Sequence, residues 1–219
     1  MDFAQTLTAR PWAIGPVDIR RLSEEGLSRT SIVVAIGLVA MFNYLTRVAD
    51  GTGIEADYGN ELPRFVYRGL TESAPRPGPE EWPPVDGSLE LLSALPDVQA
   101  AWHRWRDYVA EGPGPLSSAT LSRLRRIAAR NACDGAIAAL DQADSLTAAE
   151  STAGSGDTLS EFADKLSLTP WLMAQADVDA LRSIGMDDLS ILHVIAVVAY
   201  QSAESRLRIG LSALARSGD

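Results

Sequence analysis

The sequence predicts an all-α protein built around an internal repeat, and three observations carry that expectation. Residues 3–51 and 162–210 align without a gap at an offset of 159, with fifteen identities in 49 positions, several times what chance gives. No stretch alternates polar and β-branched residues at the period of a half-buried strand. Composition agrees, with 46% apolar, 22% charged and only 6% aromatic residues in a chain of 219.

In the first copy, residues 2–8 read as a helix followed by Pro11-Trp12. Val17 to Glu25 forms a short helix that Gly26 stops, because glycine takes the left-handed conformation a helix end needs. Ser28 then caps a long helix to about Ala49, whose apolar set (Ile32, Val33, Ile36, Val39, Ala40, Phe42, Leu45) covers more than one face. That breadth predicts a central, nearly surrounded helix. The second copy repeats the plan: a helix over 158–167, Pro170-Trp171, a short helix from Asp177 to Ile184, the stop at Gly185, Asp187 as cap, and a long helix from about Leu189 into Ala213. Between the copies, residues 52–87 hold six prolines and several glycines and read as a linker. Helical spacing resumes at Leu89, and Val98, Trp102, Trp105 and Val109 form one buried stripe. After Gly112-Pro-Gly-Pro115 a helix turns Leu121, Leu124 and Ala128 inward, a further short helix follows Cys133, and 145–157 reads as a small polar loop.

A net charge of −10 argues against a nucleic-acid backbone as partner. The densest basic run, Arg123, Arg125, Arg126 and Arg130, spreads around a helix and suits a solvated or interface face. One cysteine, Cys133, fits a reducing cytoplasm, and His103 and His193 have no ligand-spaced companions, so no metal or cofactor is expected. The longest apolar run, Ile32 to Phe42, is too short to span a bilayer, so no membrane role is expected.

Several stretches together resemble a known family. They are Leu166-Ser-Leu-Thr-Pro-Trp, then Ala176-Asp-Val-Asp-Ala-Leu-Arg-Ser-Ile-Gly, and Phe42-Asn-Tyr-Leu-Thr-Arg-Val-Ala-Asp50. Gly112-Pro-Gly-Pro-Leu116 and Arg130-Asn-Ala-Cys-Asp134 complete the set. The chain is similar to the AhpD-like alkylhydroperoxidase and carboxymuconolactone decarboxylase superfamily, closest to its peroxidase-related group. The resemblance implies an AhpD-like helical bundle: a C-terminal half-module at 1–55, a linker at 56–87, and one complete module at 88–215. It also implies thiol chemistry, in which a cysteine of low pKa at a helix N-terminus is oxidised by peroxide to a sulfenic acid that a second cysteine of a CxxC resolves. A glutamate upstream and a histidine downstream move the protons.

Carried over position by position, that machinery reduces to Cys133. The second cysteine falls on Ala136, the glutamate on Leu121 and the histidine on Leu140. A degenerate, non-catalytic or partner-dependent subunit is therefore expected. A one-cysteine thiol peroxidase acting through Cys133 and a lactone- or carboxylate-binding, decarboxylase-like variant are the alternatives. Asn43, Arg47 and Asp50 share one helix face, as pocket lining or as a structural polar tie. A half-module leaves Ile32 to Leu45 uncovered. It must pack on its own chain's module, or the protein is a homo-oligomer or a hetero-oligomer with a chain supplying the missing half.

Overall fold

The computed structural model describes residues 2–54, 76–85, 88–109, 112–136 and 155–218. Among them every regular element is helical. The α-helices are α1 (Asp2–Ala9), α2 (Pro16–Glu24), α3 (Arg29–Thr52), α4 (Pro96–Val109), α5 (Ser118–Asn131), α6 (Ser155–Leu168), α7 (Gln175–Ser183) and α8 (Asp188–Ala215). Short 3-10 turns lie at Pro11–Ala13, Pro79–Glu81, Ser88–Ala94 and Pro170–Leu172.

Local chemistry sets these boundaries in the same way in both aligned segments. Gly26 and Gly185 each end a short helix at φ +90°. The Ser28 hydroxyl accepts from the Ser31 amide at 3.1 Å, and Asp187 accepts from the Ser190 amide at 2.8 Å, each supplying a partner to a helix-start N–H. Asp18 and Asp177 reach back to the amides of Gly15 and Ala174, at 3.0 and 2.8 Å.

The long helices α3 and α8 form the spine, and they meet at two glycines. A Cβ on Gly51 would lie 2.9 Å from Ile195 Cγ2 and 3.3 Å from Leu166 Cδ1. A Cβ on Gly210 would lie 2.7 Å from Ile36 Cγ2 and 3.4 Å from Leu7 Cδ2. The end of each helix thus touches the start of the other, so the pair runs antiparallel. Two buried arginines lock the crossing. Arg47 donates to the Ser167 carbonyl at 2.8 Å and to its own helix at Asn43 O, 3.0 Å. Arg206 donates to the Thr8 carbonyl at 2.8 and 3.1 Å and to Ser202 O at 2.8 Å. Each cation satisfies carbonyls at the C-terminal end of a first helix, α6 or α1, where positive charge is favoured.

The structure corrects the reading of α3. It is α8 that is nearly surrounded, with almost every residue from Val194 to Leu214 buried. Ser88–Ala94, α4 and α5 all pack on α8 as well as α3 does. In α3, Ile32, Val33, Ile36, Ala40, Asn43, Arg47 and Gly51 are buried, while the opposite face is open. Val98 also departs from expectation: it is 49% exposed near the start of α4, whereas Trp102 and Val109 are buried. The later part of the predicted linker is docked on α8, with Val85 in the core and the Ser212 hydroxyl donating to the Pro84 carbonyl. Leu140, most of the short helix after Cys133 and most of the 145–157 loop lie outside the described residues.

The crossing predicts that Gly210→Ala destabilises by about 1–3 kcal/mol through overpacking against Ile36. Gly37→Ala, whose Cβ meets nothing within 4 Å, stabilises α3 by about 0.5–1 kcal/mol. Urea midpoints of the two variants should move in opposite directions.

Candidate functional site

Cys133 sits just past the end of α5, at φ +55°, the one non-glycine residue with positive φ among the described residues. Its amide donates to Arg130 O at 3.1 Å, and that of Asp134 to Ala129 O at 3.1 Å. This pair of bonds is the Schellman helix stop, with cysteine in the place glycine usually takes. The thiol is fully buried, and burial pushes its pKa up to about 11 against a smaller opposing pull from Arg76. At neutral pH the ionised fraction is then on the order of 10⁻⁴. A new helical turn begins at residue 135, but its free amide at Ala136 is taken by the Asp134 carboxylate at 3.1 Å rather than by the thiol. The low-pKa cysteine implied by the resemblance is thus not what Cys133 provides. Leu121 is buried in the core at the first turn of α5, and Ala136 is half-buried against it.

Next to Cys133, Asp134 belongs to a buried ionic cluster that sequence reasoning missed. Glu204 of α8 is fully buried, and its Oε1 accepts from Arg208 at 3.0 Å and from the Tyr200 hydroxyl at 3.3 Å. Arg125 of α5 lies 3.6 Å from Glu204 Oε2 and donates to Gln201 Oε1 at 2.9 Å. Burial raises the Asp134 pKa, although Ser205 and Arg208 favour its charged form. Burial also opposes the charge on Arg208, but Glu204 and Asp134 outweigh it and hold its pKa up. The Tyr200 phenol is held well above its ordinary pKa by burial and then by Glu204. Trp102 and Trp105 seal this face, with ring centroids 5.5 Å from Tyr200, and Trp105 stands edge-on to Tyr44 of α3 at 4.2 Å. Two carboxylates balance two guanidiniums here in charge, while Asp134 Oδ2, Glu204 Oε2 and Arg208 Nε are buried without a hydrogen-bond partner among the described residues. No sequence motif marks it, because Arg125 and Glu204 are far apart in the chain.

Asn43, Arg47 and Asp50 hold α3 in place. Asn43 bonds Thr8 at 3.0 Å and Val39 O at 2.9 Å, and its Oδ1 accepts from Arg47 at 2.8 Å. Asp50 acts on Arg47 through its charge, and burial lifts its own pKa despite that cation. His193 is half-buried, with Nε2 2.9 Å from Val109 O, and its ring fills the space beside Gly114. Among the described residues no group of three His, Cys, Asp or Glu could hold a metal ion.

Two surface features remain. A groove of about 610 Å³ runs between α5 and α6, lined by Arg123, Arg126 and Arg130 with Ser122, Ser160 and Asp164. The second feature is the open face of α3: Val34, Leu38, Met41, Phe42 and Leu45 are 42 to 60% exposed. By length and composition α3 could cross a membrane, with a third of that span buried within the protein. No protein family, no curated protein and no solved structure matches this chain.

Thiol-directed reagents at pH 8 should label Cys133 only after unfolding. The folded thiol stays protonated up to about pH 11, whereas the unfolded one ionises near 9. The folded state therefore binds more protons across that window, and stability falls as pH rises through it. Relative to Cys133→Ala, the wild type should lose up to about 2 kcal/mol between pH 9 and 11, with no difference in slope below pH 8.

Proposed function

We propose that the protein is a non-catalytic helical subunit on the AhpD-like plan, a half-module and one complete module, that works by association through α3. The uncharged open face of α3 is the observation that carries this reading. Five large apolar side chains on one helix face make a contiguous exposed patch of the kind that often serves as a binding surface. The shared order of elements in the two aligned segments, and their reciprocal glycine and arginine contacts, support descent from a duplicated half-module. The sealed, protonated thiol weighs against the one-cysteine peroxidase, and Leu121 and Ala136 offer no proton carrier or resolving thiol.

Intact mass after brief exposure to an organic hydroperoxide, with a thiol-blocking reagent as trap, tests the non-catalytic half. The expected result is an unmodified Cys133 at peroxide levels that oxidise an active thiol peroxidase. Rapid gain of one oxygen would restore the peroxidase reading. Native mass tests the other half, with species heavier than one chain expected at micromolar concentration.

The α5–α6 groove favours a second reading, the binding of a small carboxylate by the arginine row. Calorimetric titration with succinate or citrate should then give saturable binding that Arg126→Gln weakens about tenfold and added salt reduces. A flat titration would remove this reading.

A further inference from the structure

The open face of α3 has a covered counterpart within the same chain. At the offset of 159, Val34, Leu38, Met41, Phe42 and Leu45 correspond to His193, Val197, Tyr200, Gln201 and Glu204 of α8. Four of those five are buried to 2% exposure or less, beneath Ser88–Ala94, α4 and α5. The chemistry of the two faces is different. Gln201 and Glu204 meet Arg125, and Tyr200 bonds Glu204. On α3 the same positions are phenylalanine, leucine and methionine, and Ala49 stands in the place of Arg208.

That difference selects the occupant. The α4–α5 pair of a second copy is already laid on its own α8, where Arg125 meets Gln201 and Glu204. Moving it onto α3 would exchange those partners for Phe42 and Leu45 and cost several kcal/mol, enough to exclude that arrangement. Charge complementarity demands a surface as uncharged as α3 itself. Between Thr30 and Thr46 α3 contains no charged residue, and Arg47 just beyond points into the core. Val34, Leu38, Met41 and Leu45 step by four, three and four, the seam of a paired helix.

Resting on the reading that the protein acts by association, we propose that the partner is a second copy of this chain, joined α3 to α3 in antiparallel about a two-fold axis. The axis passes between Leu38 and Met41. Leu38 then meets the partner's Met41 and Val34 meets the partner's Leu45, with Phe42 flanking the seam. The five side chains offer on the order of 400 Å² of apolar surface per copy, so pairing buries roughly 800 Å² in all. That area suits a reversible dimer rather than a permanent one.

Sedimentation of the full chain over a wide concentration range, together with site-directed cross-linking, tests the proposal. Wild type should pass from monomer to dimer and stop there, because a two-fold contact closes. Leu38→Glu should weaken dimerisation at least about 100-fold while circular dichroism stays unchanged, since the site is exposed. Val98→Glu, an equally exposed change on α4, should leave it intact. In a Cys133→Ala background, Val34→Cys and Leu45→Cys chains carrying different tags should cross-link when mixed and poorly when alone. A wild type that stays monomeric with Leu38→Glu indistinguishable from it would overturn both this proposal and the association reading. Assembly that Leu38→Glu abolishes without the mixed cross-link would overturn the two-fold pairing and leave association through α3 standing. Flotation of a monomeric chain with phosphatidylglycerol-containing vesicles, lost in Leu38→Glu, would replace the second copy by a lipid surface.

Discussion

Everything else in this protein depends on how closely α3 and α8 approach each other. Two glycines permit the contact: Gly51 lies under Ile195 and Leu166, and Gly210 under Ile36 and Leu7. Dispersion falls off within fractions of an ångström, so the depth of this contact decides how well the surrounding core packs. The same closeness brings Arg47 to the Ser167 carbonyl and Arg206 to the Thr8 carbonyl. Burial works against both charges, more strongly for Arg206, where Arg47 adds repulsion. Their bonds to carbonyls at the ends of α6 and α1 offset that penalty and tie each half of the spine to the first helix of the other.

With the spine fixed, the two halves diverge by what covers them. α8 receives Ser88–Ala94, α4 and α5, so polar side chains on its outer face become interior and must be matched. Glu204, Arg208, Arg125 and Asp134 match one another in charge. Among the described residues, Ser88–Ala94 and α4 reach only the edge of α3, and its outer face keeps no charge that would need matching. Cys133 sits beside the matched cluster in a helix-ending turn, where its burial keeps the thiol neutral.

Features set by neighbours in sequence were legible from the residues alone. Gly26 and Gly185, Ser28 and Asp187, and the inward turn of Leu121, Leu124 and Ala128 rest on local backbone and periodicity rules. The all-α class followed from them. What escaped the sequence depends on distance in three dimensions. Both long helices carry apolar residues around more than one face, and periodicity does not say which of them other elements will cover. The ionic cluster was invisible because its members come from α5, the turn after it, and α8. Val98 fits the stripe of α4 by spacing, yet α4 lifts it clear of the core at its first turn. The lone cysteine was visible, but its left-handed backbone and full burial were not, and these decide its reactivity.

The antiparallel spine also has a consequence for the order in which the chain is made. α3 leaves the ribosome long before α8, whose equivalent residues follow 159 positions later. At about 5–20 residues per second, α3 waits roughly 8–30 s for the helix that covers its inner face. During that time Ile32, Ile36 and Ala40 lack α8, and at its start, of the elements that pack on α3, only α1 and α2 have been made. Packing of the inner face of α3 is thereby postponed until α8 has been made, and the burden of keeping it from aggregating falls on whatever meets the chain at the ribosome exit.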